Sequence, residues 1–85
     1  MHMKLGVYTV EKTLFEGDVE KIIARTSTGE VTILNDHIPL LSRLIPSEIA
    51  IIAPEQKETR LPIQGGFLEV RPGNHAVILA EQKIS

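Results

Sequence analysis

Breakers recur along this chain at intervals too short for helices. Glycine, proline or an Asn/Asp turn signal stands at Gly17-Asp18, Gly29, Asn35-Asp36, Pro39, Pro46, Pro54, Pro62, Gly65-Gly66 and Pro72-Gly73-Asn74. Proline has no amide hydrogen to donate, and glycine raises the entropy cost of any regular element. The segments between the breakers run about five to eight residues and are rich in Val, Ile, Leu and Thr, which is strand composition. The pattern predicts an all-β fold: a flattened β-sandwich or barrel of roughly eight to ten short, mostly antiparallel strands, with no substantial helix. With 85 residues, residues 1–85 are expected to form a single domain.

Side-chain alternation supports the strands. In "TRLPI", Thr59, Leu61 and Ile63 fall on one face. In "EIAIIA", Ile49, Ile51 and Ala53 share a face. A period of two is strand geometry. "HAVILA" is apolar on both faces, so that strand is expected to be central and covered on both sides. Pro62 demands an edge or a bulge. "TSTGEV" reads as a hairpin turn between Val19–Thr26 and Glu30–Leu34, and "RPGNH" as another between Phe67–Arg71 and Ala76–Ala80. Gly65-Gly66 suggests a bulge, a corner or the close approach of another backbone.

Composition excludes several function classes. There is no cysteine, so a disulfide scaffold, a Cys-based zinc site and a thiol nucleophile are all ruled out. The net charge is −2 with no basic stripe, and the aromatics are Tyr8, Phe15 and Phe67. Nucleic-acid binding needs concentrated cations and stacking platforms, so none is expected. The apolar run Ile49–Ala53 falls far short of the ~20 residues that span a bilayer, so no direct membrane insertion is expected. The "MHM" opening leaves Met1 or Met3 as the start, and Met1 and His2 therefore carry no functional weight.

No catalytic, cofactor-binding or metal-binding residue emerges. Asp36 and His37 are adjacent, and neighbours on an extended chain point to opposite faces, so Asp36 is a poor orienter for a catalytic imidazole. The plainer reading is a turn that Asp36 caps. His2, His37 and His75 lack companions at ligand spacing. "GG" alone is no phosphate loop, because no helix follows it. The carboxylates around Pro54–Arg60 read as a solvated hairpin tip. More telling is "HIPLLSRLIP", with Ile38, Leu40, Leu41, Leu44 and Ile45 between two prolines. Core is the default for each, but so small a domain has limited interior, and those left outside would mark a partner surface.

Three ordered segments carry a family likeness: "EKTLFEGDVEKI" (Glu11–Ile22), "GEVTILNDHIPLLSRL" (Gly29–Leu44) and "QGGFLEVRPGNHAVILAE" (Gln64–Glu81). Together they resemble the N-terminal β-sandwich domain of the epsilon subunit of rotary F-type ATP synthases, called delta in mitochondria. The likeness spans essentially the whole chain. There are departures: Asn35-Asp36 stands where the family usually has Pro-Gly, Ile38 where it has a small residue, and Gln64 where a Ser commonly precedes the glycine pair. Pro62 is also unusual within its strand.

The resemblance implies a non-catalytic central-stalk subunit that binds the gamma subunit and the c-ring and couples ion-driven rotation to ATP synthesis. It implies a peripheral location on the cytoplasmic face of a bacterial plasma membrane. By motif match, Gly29 and Glu30 would meet the c-ring loops. His37, Ile38, Leu40, Leu41 and Ser42 would lie on or beside the gamma-facing surface, with Gln64 nearby. Family members usually continue into a C-terminal helical hairpin that carries inhibition and, in some, an ATP site. This chain stops at "EQKIS", so neither inhibition nor nucleotide binding is expected of it. The alternative reading is a generic β-sandwich ligand- or carbohydrate-binding module, which would usually show exposed aromatics. A small β-fold enzyme ranks third, for want of a catalytic constellation.

Overall fold

Alternating burial turns these short segments into two packed sheets. The structure, a computed structural model, describes residues 2–82. The C-terminal "KIS" of the "EQKIS" ending therefore lies outside the described residues. Among the described residues there are nine strands: β1 (Met3–Tyr8), β2 (Thr13–Val19), β3 (Lys21–Thr26), β4 (Gly29–Leu34), β5 (Leu40–Leu44), β6 (Ser47–Ile52), β7 (Glu58–Ile63), β8 (Gly66–Arg71) and β9 (His75–Ala80). One sheet has the order β2-β1-β9-β8-β5, the other β4-β3-β6-β7. Pairing is antiparallel except between β1 and β9, which run parallel.

Each sheet turns one phase of its strands inward. Leu5 and Val7 of β1, Leu68 and Val70 of β8, and Ala76 and Ile78 of β9 meet Ile22, Ile33, Ile49, Ile51 and Ile63 from the other sheet. β-Branched residues dominate this interface, where their stiff side chains interdigitate between facing sheets. No polar or charged residue is buried among those described, so hydrophobic burial supplies most of the cohesion.

Most of the sequence expectations hold in detail. The two predicted hairpins are β3–β4 and β8–β9. The first is shorter than expected on its N-terminal side, because Val19 closes β2 and is paired with Met3. β7 is an edge strand, so the ladder tolerates Pro62 opposite Glu48. Of the three readings for Gly65-Gly66, close backbone approach is the one realised: a Cβ on Gly66 would stand 2.2 Å from the carbonyl oxygen of Leu79.

One expectation is corrected. β9 is central, flanked by β1 and β8, but only its Ala76, Ile78 and Ala80 phase is covered. Leu79 remains 58% exposed on the outer face. Among the described residues, which form two layers, nothing packs on the outer face of the five-stranded sheet.

The registers define two ends. At one, the Thr26–Gly29 turn, Ile45, Gln64 and Glu81 come together: Ile45 N–H donates to the Arg25 carbonyl (3.1 Å) and Gln64 N–H to that of Glu81 (2.7 Å). At the other lie Glu20, the Asn35–His37 turn, the Ala53–Lys57 hairpin tip and Pro72–Asn74. There Glu20 N–H donates to the Ile52 carbonyl (2.8 Å), and Asp36 N–H donates to Asn74 Oδ1 (2.8 Å).

Candidate functional site

The break after β4 builds the first part of the site. Asp36 adopts a positive φ of 64°, which short polar side chains tolerate. His37 N–H closes the turn onto the Leu34 carbonyl at 3.1 Å. The His37 ring places Nδ1 2.7 Å from the Ile38 carbonyl oxygen. A carbonyl only accepts, so Nδ1 carries the proton, and in the neutral ring Nε2 is left as an acceptor. Asp36 takes no part in orienting the imidazole. The pair forms a turn, as the plainer reading of the sequence has it.

Beyond Pro39, the strand period sorts the remaining residues. Leu41 is 72% exposed and Ile38 75% exposed. Leu40 packs against the core from its margin, Ser42 is half-buried on the same phase, and Leu44 is fully in the core. Neighbours on β5 alternate sides, so Leu40 and Ser42 lie beside Leu41 on the opposite phase. Gln64 is displaced from its expected place. It is exposed, but at the end opposite His37, beside Leu44 and Gly66.

Three residues that sequence reasoning missed extend the surface. Arg43 shares the outward phase of Leu41 and lies over the Phe67 ring, 5.1 Å from its centroid, a cation–π distance. Phe67 is 45% exposed and is paired with Arg43 on one side and Leu79 on the other. An open groove joins Phe67, Leu79 and Arg43 to Tyr8 and the exposed Val10. The signal was present in the sequence, because Phe67 and Leu79 occupy the phase opposite Leu68 and Ile78. What was missing was knowledge that no layer covers that phase.

Polar pairs border the apolar strip. Glu69 and Arg71 form an ion pair at 3.1 Å, and Lys4 and Asp18 one at 3.6 Å. Tyr8 Oη donates to Glu16 Oε2 at 2.8 Å. That hydrogen bond, with the nearby Glu16 charge adding to it, holds the phenol pKa above its ordinary value.

The second part of the site is the Thr26–Gly29 turn at the other end. Thr26 Oγ1 donates to the Gly29 carbonyl (3.0 Å) and accepts from Thr28 N–H (3.2 Å), so one hydroxyl ties the turn together. Gly29 has φ 134° with open space around it. Next to it, exposed Glu30 faces Arg25 across the hairpin at 3.5 Å. That contact is long and solvated, which leaves most of the carboxylate's accepting capacity free. Glu30 thus sits near the start of β4 and His37 in the turn beyond its far end, with about 13 Å of strand between Glu30 and Leu34. Among the described residues no three His, Asp or Glu side chains converge as a metal site would require.

The described residues form a two-layer β-sandwich with exposed apolar side chains on one face and a hydrogen-bonded polar turn at one end. Residues 2–85 match the family model described as ATP synthase, Delta/Epsilon chain, beta-sandwich domain, and the chain belongs to that family. Among curated relatives, it is 38% identical over 79 residues to the ATP synthase epsilon chain of Brevibacillus brevis, covering 93% of this chain and 59% of the relative. It is 42% identical over 73 residues to ATP synthase epsilon chain 1 of Thiobacillus denitrificans, covering 85% and 52%. The chain spans a little over half the length of these relatives. Its fold recurs in a solved mitochondrial ATP synthase from Euglena gracilis, the OSCP/F1/c-ring assembly, at TM-score 0.91 and 21% identity, over 98% of this chain and 52% of that one. It recurs also in the central stalk/c-ring of the Tetrahymena thermophila enzyme, at TM-score 0.81 and 21% identity, over 96% and 65%.

Proposed function

We propose that this domain is a non-catalytic clamp in the central stalk of an F-type ATP synthase, gripping the gamma subunit with one surface and the c-ring with one end. The observation that carries the reading is the set of exposed apolar side chains Leu41, Phe67 and Leu79 on the outer face of the five-stranded sheet, with exposed Ile38 in the segment leading into β5. Single exposed apolar side chains such as Val10 and Leu34 are ordinary, whereas several gathered on one sheet face mark a partner surface. The partner proposed for this surface is the gamma subunit, which would present apolar side chains to it. Apolar anchors would contribute most of the binding energy, while Arg43, Glu69 and Arg71 at the margin would orient the complex.

The Thr26–Gly29 turn, with Glu30, is the end assigned to the c-ring. Its carboxylate can accept charge-assisted hydrogen bonds from amide or basic groups on the ring's polar loops. Glu30 and His37 lie beyond opposite ends of about 13 Å of strand, which would let two partners bind without competing for one surface. In this role the domain is peripheral to the membrane, on the cytoplasmic face in a bacterium. It transmits torque and performs no chemistry. Carbohydrate binding is disfavoured, because Arg43 already occupies the Phe67 ring.

The test is titration of Leu41→Asp against the gamma subunit. Affinity should fall by about a hundredfold, with the fold intact, because Leu41 is 72% exposed. Undiminished affinity would sink the reading.

A further inference from the structure

The turn that presents His37 and Ile38 has little support of its own. Pro39 has no amide hydrogen, and Ile38 before it is confined to extended backbone. Asn35 Oδ1 is buried there without a partner. Within the turn, His37 N–H reaches back to Leu34. The hydrogen bond that ties the turn to the rest of the molecule is Asp36 N–H to Asn74 Oδ1 at 2.8 Å, across 38 residues of sequence. Asn74 is itself the pivot of the β8–β9 turn. It holds φ 56°, and its own carbonyl accepts from Lys4 N–H at 2.9 Å. One residue thus joins three segments: the start of β1, the β8–β9 turn and the β4–β5 turn.

We propose that Asn74 is a positioning residue for the docking surface, setting the placement of His37 and Ile38 through the Asp36 amide. The inference rests on the gamma-docking reading. The chemistry explains the residue type. The position needs a left-handed backbone together with a side-chain carbonyl one bond from Cβ, and Asn supplies both. Glycine would supply the first alone, whereas aspartate would supply both.

Three variants separate the possibilities: Asn74→Gly, Asn74→Asp and Leu41→Asp. Two readouts are taken on each: amide hydrogen exchange by NMR and titration against the gamma subunit. In Asn74→Gly the Asp36 amide should exchange at least about fivefold faster, and gamma affinity should fall by about fivefold, the size of one lost hydrogen bond. The amides of Leu68 and Ile78, in the strands the turn joins, should keep their rank among the most protected. Asn74→Asp should restore both readouts, which a purely steric or stability role would not require. An Asp36 amide as protected in Asn74→Gly as in the parent overturns the proposal. So does parental gamma affinity in Asn74→Gly when Leu41→Asp has lost it. Parental affinity in both variants overturns the docking reading itself, and the proposal with it.

Discussion

Gly66→Ala should be among the most damaging single-methyl changes in the domain. Gly66 opens β8 at φ 148°, outside the range that L-residues comfortably adopt, and such backbone costs of order 1–3 kcal/mol. The added Cβ would lie 2.2 Å from the Leu79 carbonyl oxygen and 3.0 Å from Ala80 Cα. Neither neighbour can retreat easily, since both are backbone in β9, held between β1 and β8. Overpacking against rigid structure adds about 1–3 kcal/mol. The lower entropy of the unfolded alanine chain returns about 0.4–1 kcal/mol. The net loss is about 1–5.6 kcal/mol, against a total near 4–13 kcal/mol for a domain of this length.

Urea denaturation followed by far-UV circular dichroism measures the effect. With a slope near 1 kcal/mol/M, the midpoint should fall by at least about 1 M. Gly29→Ala is the internal control: its φ of 134° is similarly demanding, but nothing lies within 4 Å of the new methyl. It should cost about 1 kcal/mol. If Gly66→Ala costs no more than Gly29→Ala, close approach of the β9 backbone is not what requires glycine there.

Adjacent leucines on β5 should behave oppositely. Leu40→Asp should destabilise the fold by about 2 kcal/mol or more by placing a charge against the core, whereas Leu41→Asp should change unfolding by less than ~0.5 kcal/mol; equal effects in a denaturant titration would contradict the assigned strand phase. Glu30→Ala should leave stability within ~0.5 kcal/mol, since its Arg25 pair is solvated, yet loosen rotor-to-ring coupling; unchanged proton pumping in reconstituted vesicles would argue against the c-ring assignment. Tyr8 is the chain's only tyrosine, so its titration can be followed by absorbance. Its folded pKa is raised by the Glu16 hydrogen bond, so the associated stability is present below the unfolded pKa and is lost as pH rises through the folded one. Glu16→Gln should move the absorbance midpoint down, and an unmoved midpoint would exclude Glu16 as the cause.

Local chemistry made much of the fold readable in advance. Pro72-Gly73-Asn74 announced a turn because it combines a fixed φ with residues that tolerate positive φ, and Gly73 (85°) and Asn74 (56°) use that freedom. Pro62 required an edge or a bulge, and β7 is an edge. β2 carried a weaker signal. Its "TLFEGDV" buries Val19 but leaves four of the other six residues exposed, so little alternation marks it as a strand. The candidate site was only half legible. Glu30 and His37 lie at the two ends of one strand and turn, as the sequence suggested; Leu40 and Ser42 lie beside exposed Leu41 on the other phase of β5, and Gln64 lies at the end away from His37.

Punctuation and period-two patterning, both properties of a few neighbouring residues, determined the all-β class, the hairpins and the two phases of each strand. Which phase faces water depends on what packs on the other side, and no local window contains that. Only the two-layer stacking decided that Leu79 and Phe67 stay exposed while Leu40 turns inward. Only the strand order carried Gln64 to the Gly29 end and brought Asn74 against Asp36. Long-range pairing sets these neighbours, and a chain read in order cannot display it.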